Sequence, residues 1–90
     1  MLERLYEFKL WLADDPRDLD EWSGALLAAG ADDSSPGISC GKPYVTFHRD
    51  AASLEEAIRS AHQDVVTAGL RVLRLEIEAE ELAAWNVQGR

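Results

Sequence analysis

Positive charge is scarce in this sequence. Lysine occurs only at Lys9 and Lys42, and with seven arginines it stands against seventeen acidic residues, giving a formal net charge of −8. Such a surface repels polyanions, and nucleic-acid binding draws on clustered Lys and Arg that neutralise phosphates. The nine basic residues form no run, so direct nucleic-acid recognition is not expected. Cys40 is the only cysteine. That excludes an intrachain disulfide and with it the stapled design of small secreted domains, leaving the cytoplasm as the expected compartment. A long apolar run is missing too. The opening stretch MLERLYEFKLWLADD carries glutamates at positions 3 and 7 and no small-residue cleavage site, so it reads as part of the fold rather than as a signal peptide or membrane anchor.

The residues on which chemistry usually rests are equally sparse. His48 and His62 are the only histidines, and no CxxC or HExxH spacing occurs, so neither a metal nor a cofactor is expected. Cys40 and His48 would act as nucleophile and base only within hydrogen-bond reach and with a third group such as Asp50 to orient the ring. Nothing in the spacing fixes that. PGISCG, residues 36–41, lacks the lysine and following helix of a phosphate loop. Asp14 with Asp15, and Asp32 with Asp33, flank structural elements, where acidic turn residues are ordinary. No catalytic, cofactor-binding or metal-ligating residue is assigned, and a noncatalytic protein is expected.

What the sequence does contain is well-marked secondary structure. Ninety residues, 47% of them hydrophobic, suffice for one domain with one modest core. Tyr6, Phe8, Leu10 and Leu12 alternate with Glu7, Lys9 and Trp11, which predicts a strand with one buried face. Asp18 followed by Glu21 is a capping box, and Leu19, Trp22, Leu26 and Ala29 supply the apolar stripe of a helix that Gly30 ends. Gly24 inside it suggests a close crossing over the sheet. Residues 32–43 hold either a short strand around Gly37 to Cys40 or mostly loop. Val45 and Phe47, alternating with Tyr44, Thr46 and His48, form the next strand. Ser53 and Glu56 form a second capping box, before a stripe of Leu54, Ile58, Ala61, Val65 and Ala68 that Gly69 terminates. Leu73, Leu75 and Ile77 alternate with Val72, Arg74 and Glu76 in the last strand, and a short helical turn through Leu82 and Trp85 follows.

The order strand, helix, strand, strand, helix, strand predicts an α+β, two-layer ferredoxin-like sandwich, βαββαβ, with two helices on one face of an antiparallel sheet. The domain runs over residues 1–90, with a core at about 4–78 and a C-terminal tail at 79–90. Without the strand in 32–43 the sheet has three strands. Phe8, Leu10, Val45, Phe47, Leu73 and Leu75 are expected to meet Leu19, Trp22, Leu26, Leu54, Ile58 and Val65. Helices on one face leave the other uncovered, and alternation assigns to it Trp11, Tyr44, Thr46, His48, Val72 and Arg74. Large aromatics on a nominally exposed face suggest an interface.

Tyr44 to Leu82 resembles a small domain at the amino terminus of bacterial DNA-binding proteins of the helix-turn-helix type. The likeness lies in Phe47, Arg49, Ser53, Leu54, Ala57, Ile58, Ser60, Ala61, Val65, Ala68, Gly69 and Leu70. Leu26, Ala29, Gly30 and Asp33 are similar to that domain's preceding helix. The sequence departs from the pattern at His48, and it continues from Leu82 into AAWNVQGR rather than into a helix-turn-helix. The resemblance implies a bacterial cytoplasmic source and a role in assembly or sensing. The expected function is a noncatalytic protein-interaction or assembly domain. Its expected partner is a second copy, bound through the open sheet face, or a related regulatory protein. The alternative is a small-ligand sensor in which the loops Ser34 to Lys42 and Asp14 to Arg17 form a pocket with Arg49 as an anion contact.

Overall fold

The computed structural model describes residues 3–80; the helical turn expected through Leu82 and Trp85 lies outside them. The elements are β1 (Arg4–Leu12), α1 (Leu19–Ala28), β2 (Ser34–Ser39), β3 (Lys42–Ala51), α2 (Leu54–Thr67) and β4 (Val72–Glu76). The four strands form one antiparallel sheet in the order β2-β3-β1-β4. The strand that the sequence leaves open in residues 32–43 is therefore present, and it begins at Ser34.

Local chemistry sets the ends of these elements. In α1 the capping box forms in full: Asp18 Oδ1 accepts from the Glu21 amide at 2.9 Å, and Glu21 Oε1 accepts from the Asp18 amide at 3.0 Å. In α2 the serine half forms, the Glu56 amide donating to Ser53 Oγ at 3.2 Å. Gly30 and Gly69 follow the helices with φ of +98° and +85°, the left-handed conformation that halts a helix without steric cost to glycine. Cys40 and Gly41 connect β2 to β3 with φ of +52° and +77°. Positive φ at both central residues of a two-residue loop matches the twist of a tight hairpin.

One contiguous cluster of buried residues joins the sheet to both helices. Tyr6, Phe8, Leu10 and Leu12 of β1 and Val45 and Phe47 of β3 meet Trp22 and Leu26 of α1 and Leu54, Ala57, Ala61 and Val65 of α2. The Phe8 and Phe47 rings stack at 5.6 Å, as their opposition in the register requires. Alternation thus identifies the inward residues of β1 and β3, but it fails on β4. The β1–β4 register shifts between Trp11 and Leu12, which sets Val72 opposite Leu12 and packs it against the core instead of on the open face. Leu73, expected inward, is 62% exposed. One extra residue in a strand reverses the faces of what precedes it, and period-two counting cannot register that. Leu19 is exposed rather than buried, and Gly24 makes no close crossing, since a Cβ there would meet nothing within 4 Å.

Candidate interaction surface

Residues directly opposite one another in an antiparallel sheet share a face, so the register maps the uncovered side. One row across it reads Gly37, Tyr44, Trp11, Arg74 and the next Ser35, Thr46, Lys9, Glu76. His48 stands opposite Glu7, with Nε2 3.6 Å from Oε1, an ion pair when the ring is protonated. Of the six residues expected at an interface, Trp11, Tyr44, Thr46, His48 and Arg74 fall on this face and Val72 does not.

The centre of the surface is a tilted pair of rings, Trp11 and Tyr44, with centroids 5.4 Å apart. Lys9 Nζ lies 4.5 Å from the Tyr44 centroid and 5.2 Å from that of Trp11, and the Arg74 guanidinium lies 4.9 Å over Trp11. Trp11 Nε1 donates to Glu76 Oε1 at 2.9 Å. Two of the nine basic residues thus cap the two aromatics, an arrangement in which each cation meets a ring quadrupole while its aliphatic stem shields apolar surface. Gly37 is part of the construction. A Cβ at Gly37 would sit 2.6 Å from the Tyr44 hydroxyl oxygen and 2.7 Å from Cζ. The ring rests where a side chain on β2 would otherwise stand.

At one end of this face a cavity of about 250 Å³ is lined by Trp11, Asp14, Lys42, Pro43, Leu73 and Arg74, among others. It brings together the two loop regions expected to hold a ligand, with Arg74 and Lys42 as its cations. Arg49 is elsewhere. On the helix side of β3, its Nε and Nη2 donate to both oxygens of Asp33 at 2.8 Å, Nη2 donates also to Asp64 Oδ2 at 2.8 Å, and Nη1 to Ser60 Oγ at 3.1 Å. The guanidinium also lies 4.9 Å from the Phe47 ring, and only 11% of the side chain is exposed. Hydrogen bonds from Arg49 hold the Asp33 carboxyl below its ordinary range, and those to Asp33 and then Asp64 raise the guanidinium further above its own. Arg49 is a brace joining β3, α2 and the turn before β2, with each of its three nitrogens already donating.

Arg17 is a second brace. Asp15 grips it through Nε at 2.8 Å and Nη2 at 3.0 Å, and Arg17 Nη1 and Nη2 donate to the carbonyls of Ala68 and Gly69 at 3.2 and 3.4 Å. No basic residue lies in the last turn of α2, so Arg17 supplies positive charge to that helix end from another segment. The hydrogen bonds from Arg17 bring the Asp15 carboxyl down to about 2. Asp15 and Asp33, each met in the sequence as half of an acidic pair, therefore separate into individual partners of arginine.

Cys40 and His48 are not brought together. Cys40 is exposed at the hairpin tip, and His48 lies six steps along the extended strand from Lys42, about 20 Å at 3.4 Å per residue. Among the described residues no cluster of His, Cys, Asp and Glu has a metal-binding arrangement, and no helix is long and apolar enough to cross a membrane. No protein-family model, curated protein or solved structure matches the chain.

Proposed function

We propose that this is a ferredoxin-like, noncatalytic assembly domain whose uncovered sheet face seats a protein partner, a second copy being the simplest. The observation that carries the reading is the Trp11–Tyr44 pair, half-buried at the centre of a sheet face that neither helix covers. Aromatic and arginine side chains are the residues most enriched where protein interfaces concentrate their binding energy. The resemblance to the amino-terminal domain of bacterial helix-turn-helix proteins fits the same role, that of a cytoplasmic accessory to a regulatory relative. Trp11→Asp is expected to lower the mass measured by sedimentation while leaving helical circular dichroism unchanged. A wild-type chain that is monomeric at about 100 μM, a range in which modest interfaces are populated, overturns the homodimer.

The cavity beside Trp11 favours a second reading, a small anionic ligand held by Lys42 and Arg74. A metabolite thermal-shift screen that moves the melting temperature nowhere would remove it.

A further inference from the structure

The two edges of the sheet differ. The β2 edge carries Pro36, which has no amide to offer, and Gly37, whose side-chain space the Tyr44 ring fills. The edge at β4 has no proline, and its sequence, VLRLE, alternates leucine with charges of opposite sign. Coverage by the helices also thins toward it, although Val72 still packs against the core. Along the row Val45, Leu10, Leu75 on the helix side, exposure goes from 0% and 1% to 41%. Among the described residues, β4 thus has no strand on its outer side, and it carries two exposed leucines, Leu73 and Leu75.

We infer that β4 pairs antiparallel with β4 of a second copy, joining two four-stranded sheets into one of eight. A two-fold axis normal to the sheet places residue i opposite residue j with i + j constant, and opposed residues must share a face, so the axis passes through a residue rather than between two. Centred on Arg74, the pairing sets like charges together. Centred on Leu75, it sets Arg74 opposite Glu76 of the second copy, and Glu76 opposite its Arg74, with the two Leu75 side chains in contact on the helix side. Opposite charges across strands stabilise and like charges directly opposed destabilise, so the strand's own charge pattern selects the second register. That register keeps Leu73, the residue at the register shift, out of the centre. The consequence for the open face is continuity: two Trp11–Tyr44 clusters come to lie on one surface, related by the same axis.

This inference shares with the proposed function only the choice of a second copy as partner, and it uses a different surface. The test is disulfide trapping in a Cys40→Ser chain. Leu75→Cys places two thiols opposite each other at a Cα separation of about 4.5–5.5 Å, inside disulfide range. It is expected to give covalent dimer at least about tenfold faster than Leu27→Cys on the exposed side of α1, because pairing holds the thiols at an effective concentration well above bulk. Equal rates overturn the inference, whatever Trp11→Asp does to the assembly. The wild-type chain gives an independent measurement by hydrogen exchange. β4 amides should gain protection between about 10 μM and 1 mM protein while those of β2 stay constant, the range in which a short edge contact becomes populated. Protection at β4 that does not depend on concentration overturns the pairing even if a cysteine variant fails to fold.

Discussion

The two faces of the sheet carry polar clusters built from the same ingredients and put to different use. On the helix side Arg49 lies over Phe47 and divides its donors between Asp33 and Asp64. On the open side Arg74 lies over Trp11, whose indole N–H is held by Glu76. The difference is what surrounds them. Arg49 is almost covered, and its carboxylates come from a turn and a helix distant in sequence, so the cluster ties three elements together. Arg74, Lys9 and Glu76 lie on two adjacent strands that the backbone ladder already joins, and they stand beside water. A cation over a ring is therefore not a function by itself: in one place it locks the fold, in the other it dresses a sheet face that neither helix covers.

The comparison breaks most visibly at Arg49. Arg49→Met leaves Asp33 and Asp64 without their donor and is expected to cost about 3 kcal/mol, the range for losing partly buried charge-assisted hydrogen bonds. Urea denaturation with an unchanged slope and a lowered midpoint checks it. Asp33→Asn should cost about half as much, because Asp64 still holds the guanidinium and the amide oxygen still accepts. The same cluster sets part of the acid response. Asp33 has its pKa lowered on folding by Arg49, so its contribution is complete above the unfolded value and is lost as pH falls through the lowered folded value. Asp15 behaves alike, over a window from 3.8 down to about 2. Arg49→Met should flatten the acid limb of the stability curve in the part due to Asp33 and leave the part due to Asp15.

A smaller effect is expected at Gly37. Alanine in a strand normally gains over glycine by restricting the unfolded chain. Here the added Cβ would meet the Tyr44 hydroxyl at 2.6 Å and Cζ at 2.7 Å, so the ring has to leave its place beside Trp11. The clash outweighs the gain, for a net loss of about 1 kcal/mol. Near-ultraviolet circular dichroism should change with it, since the rings move relative to each other. If Gly37→Ala is neutral and the spectrum is unchanged, the aromatic pair is looser than its 5.4 Å spacing implies.

Much of the fold was legible because its signals are local. Capping residues, glycine stops and the alternation of β1 and β3 each depend on a few neighbouring side chains, and these placed both helices and the central strands. The β2 strand was ambiguous because SSPGIS is poor in strand-forming residues. It forms where Tyr44 covers Gly37 and the turn at Cys40 and Gly41 fixes the register, and the ring over the glycine is a contact between residues on different strands. β4 was misread at Val72 and Leu73 because a register shift leaves no mark on period-two alternation. Of the open surface, Trp11 and Tyr44 could be placed by counting. The capping of Trp11 by Arg74 could not, since it depends on β4 lying beside β1. The Arg49 brace was hidden for the same reason: Asp33, Arg49 and Asp64 look unrelated until the fold brings α2 and the β2 turn to one end of β3.

The smallest effect sharpens the comparison most. Glu76→Gln on the open face is the same chemical change as Asp33→Asn on the helix side, a carboxylate made amide at a hydrogen-bonded position. Glutamine keeps an oxygen that can accept from Trp11 Nε1, now at 2.9 Å from Glu76 Oε1. It loses the attraction to Lys9, which stands opposite, in a setting where water screens the pair. It also removes one negative charge from a chain that carries a net −8, which relieves repulsion. These contributions oppose each other, and the expected change is within about 0.5 kcal/mol, as for exposed ion pairs generally. Measured in the same buffer, Asp33→Asn should lower the denaturation midpoint several times more than Glu76→Gln. Equal losses would mean that the open face contributes to folding as the helix side does, and the division of labour between the two clusters would fail.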